Sequence, residues 1–97
     1  MIKVLKISTG EEVIADVEEL GDKYELKNPL LLLMRMDETD EEGGNVHFIN
    51  YCPYSKEAII HINKNEIIFT TEPNDKLLEY YNELNSNIIK PKTDIEY

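Results

Sequence analysis

His47, His61 and Cys52 carry the side chains of this sequence best suited to chemistry. A thiol becomes a nucleophile when a neighbouring base or cation favours the thiolate. Both histidines, however, fall inside strand-like apolar runs, VHFINYCPY at 46–54 and AIIHI at 58–62. Cys52 stands beside Pro53 at the end of the first run, where it reads as a small buried apolar group. Zinc would ask for about four Cys or His ligands at characteristic spacings. Three scattered candidates do not meet that. The stretch DETDEEGG at 37–44 offers carboxylates, yet it lacks the ligand order and glycine position of a calcium loop. It reads as a solvated acidic loop. No glycine-rich phosphate loop and no G-x-S-x-G elbow occurs. The expectation is a protein with no catalytic residues, no metal and no cofactor.

The charge balance narrows the remaining choices. Ten basic residues stand against twenty acidic ones, for a formal net charge of -10. Phosphate binding draws on clusters of Lys and Arg, and the sequence contains none. The acid is uneven: EVIADVEE at 12–19 and DETDEE at 37–42 hold much of it, while Lys3, Lys6, Lys23 and Lys27 lie near the start. A local basic surface is compatible with this pattern and a general one is excluded. The longest apolar block, LLLLM at 30–34, stops at Arg35, far short of the roughly 18 residues of a membrane span. MIKVLKIS has neither the length of a signal-peptide core nor a small-residue cleavage site. A single cysteine forms no internal disulfide. The chain is expected to be soluble and cytoplasmic.

Ninety-seven residues make one domain with one modest core. Alternation predicts strands over 2–8, 13–20 and 46–54, a longer apolar stretch predicts one over 24–36, and runs apolar on both faces predict two more over 58–62 and 66–71. Thr9-Gly10-Glu11 and Gly21-Asp22-Lys23 supply turns between the first three. Pro29 cannot donate to a ladder, so it marks an edge or a bend in the third. After Pro73, Asn74 caps a helix on which Leu77, Leu78, Tyr81, Leu84 and Ile88 recur at helical spacing. The expected fold is mainly β: a small, strongly bent antiparallel barrel of five to six strands over about 2–72. A C-terminal helix over about 75–88 and a loose tail at 89–97 complete the single domain. An open antiparallel sheet with the helix on one face is the alternative.

The first thirty residues are similar to the first motif of Sm-like proteins. IKVLKISTGEEVIADVEELGDKYELKNPLLL resembles its sequence of apolar strand, glycine turn, apolar strand with a small residue, acidic turn and apolar strand. Gly10 takes the place of the turn glycine, and Val13, Val17 and Leu20 fall on apolar positions. Ala15 replaces the usual small glycine, and Asp22 stands one residue late for the turn aspartate. AIIHINKNEIIFTTEP, at 58–73, resembles the second motif of two strands around a short turn. Together the two cover about half the chain. The family's N-terminal helix is missing and a C-terminal one takes its place. Tyr24 and Asn28 stand in for its methionine-asparagine pair, and Lys64-Asn65 replaces its arginine-glycine. The small acidic form of the chain also looks like proteins encoded by marine bacteriophages.

That resemblance implies a homo-oligomeric ring of roughly five to seven subunits that binds single-stranded RNA or DNA. Lys23, Tyr24, Lys27, Asn28, Lys64 and Asn65 are its implied nucleic-acid contacts. A ring would also explain why the last two strands are apolar on both faces. One face would meet the subunit's own core, and the other would pack near a neighbour. Ile59, Ile60, Ile62, Ile67, Ile68 and Phe69 are the corresponding interface candidates. Each fully buried Ile contributes roughly 1.5–3 kcal/mol. A protein-assembly ring of the same fold, with the acid repelling nucleic acid and the helix as docking surface, is the second functional expectation.

Overall fold

In a computed structural model of the chain, residues 1–35 and 45–89 are described. The acidic loop at 37–42 and the tail from residue 90 onward lie outside them. Six strands form one antiparallel sheet: β1 (Ile2–Ile7), β2 (Glu12–Leu20), β3 (Lys23–Arg35), β4 (Asn45–Asn50), β5 (Ile59–Asn63) and β6 (Ile67–Thr71). A 3-10 turn (Lys64–Glu66) joins the last two, and α1 (Asp75–Ile89) follows. Asn74 caps that helix as expected, its Oδ1 accepting the Leu77 N–H at 2.8 Å.

The ladder runs β4-β3-β2-β1-β6, with β5 also paired to β3. β3 is therefore shared along its length. Lys23 to Lys27 pair with β5, and Leu30 to Arg35 pair with β4. The handover falls at Asn28-Pro29. Asn28 takes a left-handed φ of 53°, and the β2–β3 register shifts between Ile14 and Asp16. Pro29 thus marks a bend and not an edge, since β3 is paired on both sides. The bulge also changes which side chains face which way. Tyr24 and Leu26 point to one face of the sheet. After the bulge Leu31 continues that face while Leu30 and Leu32 turn to the other.

Both faces are buried. On one, Leu5, Ile7, Val13, Ala15 and Leu26 form a cluster completed by Tyr51, Ile60, Ile62 and Ile67. β5 and β6 sit at separate places in the ladder yet pack on this same cluster, which requires the sheet to curl strongly around it. No ladder joins β6 to β4 or β5 among the described residues, so the curled sheet stays open. On the other face Val4, Ile14 and Leu30 lie under α1, packed against Tyr81 with Leu77 and Leu84 alongside. This second layer explains why Val13, Ile14 and Ala15 are consecutive buried residues of one strand.

Tyr81 holds the helix to the bulge. It is fully buried, and its hydroxyl donates to the carbonyls of Asn28 at 2.9 Å and Lys27 at 3.2 Å. Burial pushes the phenol pKa upward, consistent with a donor kept neutral. The Asn28 N–H in turn donates to the Ala58 carbonyl at 2.7 Å, bringing the start of β5 to the same point.

Candidate functional site

Two short turns meet at one end of the sheet. Leu20 and Lys23 pair across a two-residue turn whose first residue, Gly21, has a φ of 64°. Positive φ at that position is what a tight hairpin of this kind needs, and glycine adopts it without strain. The second turn, Lys64–Glu66, crosses from β5 on β3 to β6 on β1. Its Lys64 N–H donates to the Asp22 carbonyl at 2.9 Å, which ties the two turns together. At its far side the Ser8 N–H donates to the Glu66 carbonyl at 2.8 Å.

The six residues expected to contact nucleic acid divide between two places. Tyr24 and Lys64 come together: the ammonium stands 5.2 Å from the ring centroid, within cation–π range. Asn65 follows Lys64 in the same turn. Lys23 sits at this end too, its Nζ 3.1 Å from Asn63 Oδ1. Strand alternation, however, places Lys23 on the opposite face of β3 from Tyr24. Lys27 and Asn28 lie at the other end of the β3–β5 ladder, beside Ile59 and Ala58. There Asn28 is committed through its backbone to the bulge, and Lys27 lends a carbonyl to Tyr81.

Carboxylates accompany the cations. Glu19, directly across from Tyr24, reaches Lys64 Nζ at 3.1 Å. Glu25 lies across from His61 and its carboxylate is 3.4 Å from Nε2. The local surface is therefore mixed in sign and not basic. Sequence spacing located both turns, but not the Glu19–Lys64 pair, which joins residues 45 apart in the chain. A Glu two residues before the Gly21 turn was its only sign.

The interface candidates also separate. Ile60, Ile62 and Ile67 face the chain's own core, and Ile59 is half-buried on the other side of β5. Ile68 is 62% exposed and Phe69 46% exposed. Both lie on β6, which among the described residues pairs with β1 alone and leaves its other edge open. β5 pairs only with β3 among the described residues, so its free edge lies at the other side of the curled sheet.

The reactive residues are apart. His47 is exposed on β4, His61 pairs with Glu25, and Cys52 is a half-buried free thiol. Cys52 lines a shallow hollow with Pro29, Asn50, Ser55 and Ile59. No group of three or more His, Cys, Asp or Glu side chains suited to a metal occurs among the described residues. Among them, too, no helix is long and apolar enough to cross a membrane. No protein-family model and no curated protein matches the chain.

Proposed function

We propose that the chain is a non-enzymatic, ring-forming binding protein of Sm-like architecture, acting in the cytoplasm on single-stranded RNA or DNA. The observation that carries this reading is the junction of the two turns. It places Tyr24 and Lys64, 40 residues apart in sequence, in contact at one end of an open, curled sheet. Repeated around a ring, that end would present aromatic and cationic groups to one strand. Base stacking on an aromatic side chain is worth about 1–3 kcal/mol. Assembly would use the open edges. A strand with one open edge carrying exposed Ile68 and Phe69 is an aggregation hazard unless covered. Pairing the β6 edge of one copy with the β5 edge of the next is head-to-tail, and closes when the rotation permits.

A protein-assembly ring is the second reading, favoured by the Glu19 carboxylate on Lys64 and by the net charge of -10. Two measurements separate them. Light scattering should give a mass several times the 11.3 kDa of one chain. Ile68→Asp should lower it while preserving the circular dichroism spectrum, because Ile68 is exposed within the subunit. A monomeric wild-type mass would end the ring in either form. Labelled oligonucleotides should bind at low salt and release as salt rises. If none binds while the ring persists, the protein-assembly reading stands.

A further inference from the structure

We infer that Glu19 is an internal competitor for phosphate at Lys64, so that the turn end selects extended strands over single nucleotides. The inference rests on the nucleic-acid reading above. Glu19 and Tyr24 are cross-strand partners, and Lys64 stands over both: 3.1 Å from the carboxylate and 5.2 Å from the ring centroid. The backbone of Lys64 is held by the Asp22 carbonyl. Only the tip of its side chain is free to exchange partners. Within the pair the Glu19 side chain is 68% exposed and that of Lys64 33%. The carboxylate is the replaceable member.

A phosphodiester oxygen makes the same charge-assisted contact with an ammonium as a carboxylate oxygen does. Because an exposed ion pair is weak, phosphate can displace Glu19. The displaced carboxylate then stays beside the phosphate and opposes it. One nucleotide gains one contact against that opposition. A strand crossing several subunits makes each further contact intramolecularly, at high effective concentration. Glu19 therefore suppresses short ligands while leaving long ones bound.

The test is fluorescence anisotropy of a labelled oligouridylate and of labelled uridine monophosphate, with assembly size checked by light scattering. Wild type should bind the strand and not the monophosphate. Glu19→Gln should bind the strand roughly fivefold tighter per engaged site. Its salt dependence should steepen by about 0.7 per released Lys64. The gain should vanish in Glu19→Gln/Lys64→Gln. Glu18→Gln makes the same charge change from the opposite face of β2 and should leave binding unchanged. Binding by wild type that Glu19→Gln does not improve overturns the competitor and leaves the nucleic-acid reading in place. An equal gain from Glu18→Gln reduces the effect to net charge and also overturns it. If neither wild type nor Glu19→Gln binds any strand, both readings fall.

Discussion

Tyr81→Phe removes one oxygen and should cost the protein a measurable share of its stability. The ring stays, so the layer of Val4, Ile14, Leu30, Leu77 and Leu84 beneath α1 remains filled. What disappears is the only hydroxyl donating to the Lys27 and Asn28 carbonyls among the described hydrogen bonds, at 3.2 Å and 2.9 Å. Those carbonyls sit at the bulge, where the ladder shifts register. A net hydrogen bond contributes about 0.5–1.5 kcal/mol, and stranding a buried acceptor costs about 1–3 kcal/mol. Partial access of water to the bulge places the expected loss at about 1–2 kcal/mol. With a urea slope near 1 kcal/mol per molar, the midpoint should fall by about 1–2 M. Tyr81→Ala also empties the site and should cost about 3–5 kcal/mol. The assay is urea unfolding followed by circular dichroism, at equal protomer concentration because assembly would add to apparent stability. A Phe variant with the wild-type midpoint would refute the hydroxyl's role. A Phe variant as weak as the Ala variant would show that the ring is misplaced.

Asn28→Ala should destabilise by about 1 kcal/mol, because alanine lacks the short polar side chain that lets asparagine adopt the left-handed φ of 53°, while Asn28→Gly, with no Cβ, should be nearly neutral. Thermal unfolding separates the two, since 1 kcal/mol moves a domain of this size by about 4–8 °C. Asn74→Ala should lose about 1 kcal/mol with the Leu77 N–H left uncapped, read by the same melts. Tyr51 is pushed up to about 12, by burial first and then by its hydrogen bond to Glu11 at 2.8 Å. The unfolded phenol ionises near pH 10, so its contribution is complete below that pH and is lost as pH rises through about 10 to 12. Tyr51→Phe should flatten that part of the stability curve. An unchanged alkaline slope would show that Tyr51 does not carry it.

Strand alternation, two glycine turns and a capped helix were legible in the residues because each is a local device. Val13 to Val17 alternate, Gly10 and Gly21 take positive φ, and Asn74 closes the first turn of α1. The apolar run at 30–34 and the paired faces of β5 and β6 were legible only as a demand for burial on both sides. For β3 that demand is met within the chain over 30–32, since Leu31 joins the sheet's inner cluster and Leu30 and Leu32 meet the helix layer, while Leu33 stays exposed. For β6 it is not met, as Ile68 and Phe69 remain exposed. The candidate site divided for a similar reason. Tyr24 and Lys64 could be named from motif position, but Lys23 and Lys27 share a strand with Tyr24 and alternation turns them to the other face.

Residue order by itself determined the six strands and the amphipathic helix, because periodicity and turn chemistry act over a few residues. The fourth strand, expected over 46–54, ends at Asn50. Residue order also set the net charge of -10 and with it the absence of a general basic surface. Tertiary structure decided the rest. β3 is shared between β4 and β5, Tyr81 reaches the bulge from more than fifty residues away, and Glu19 meets Lys64 across 45. Those contacts depend on how a sheet curls once both its faces are covered. A bulge of one residue resets every side chain after it, and no local pattern specifies which distant group will then lie within 3 Å.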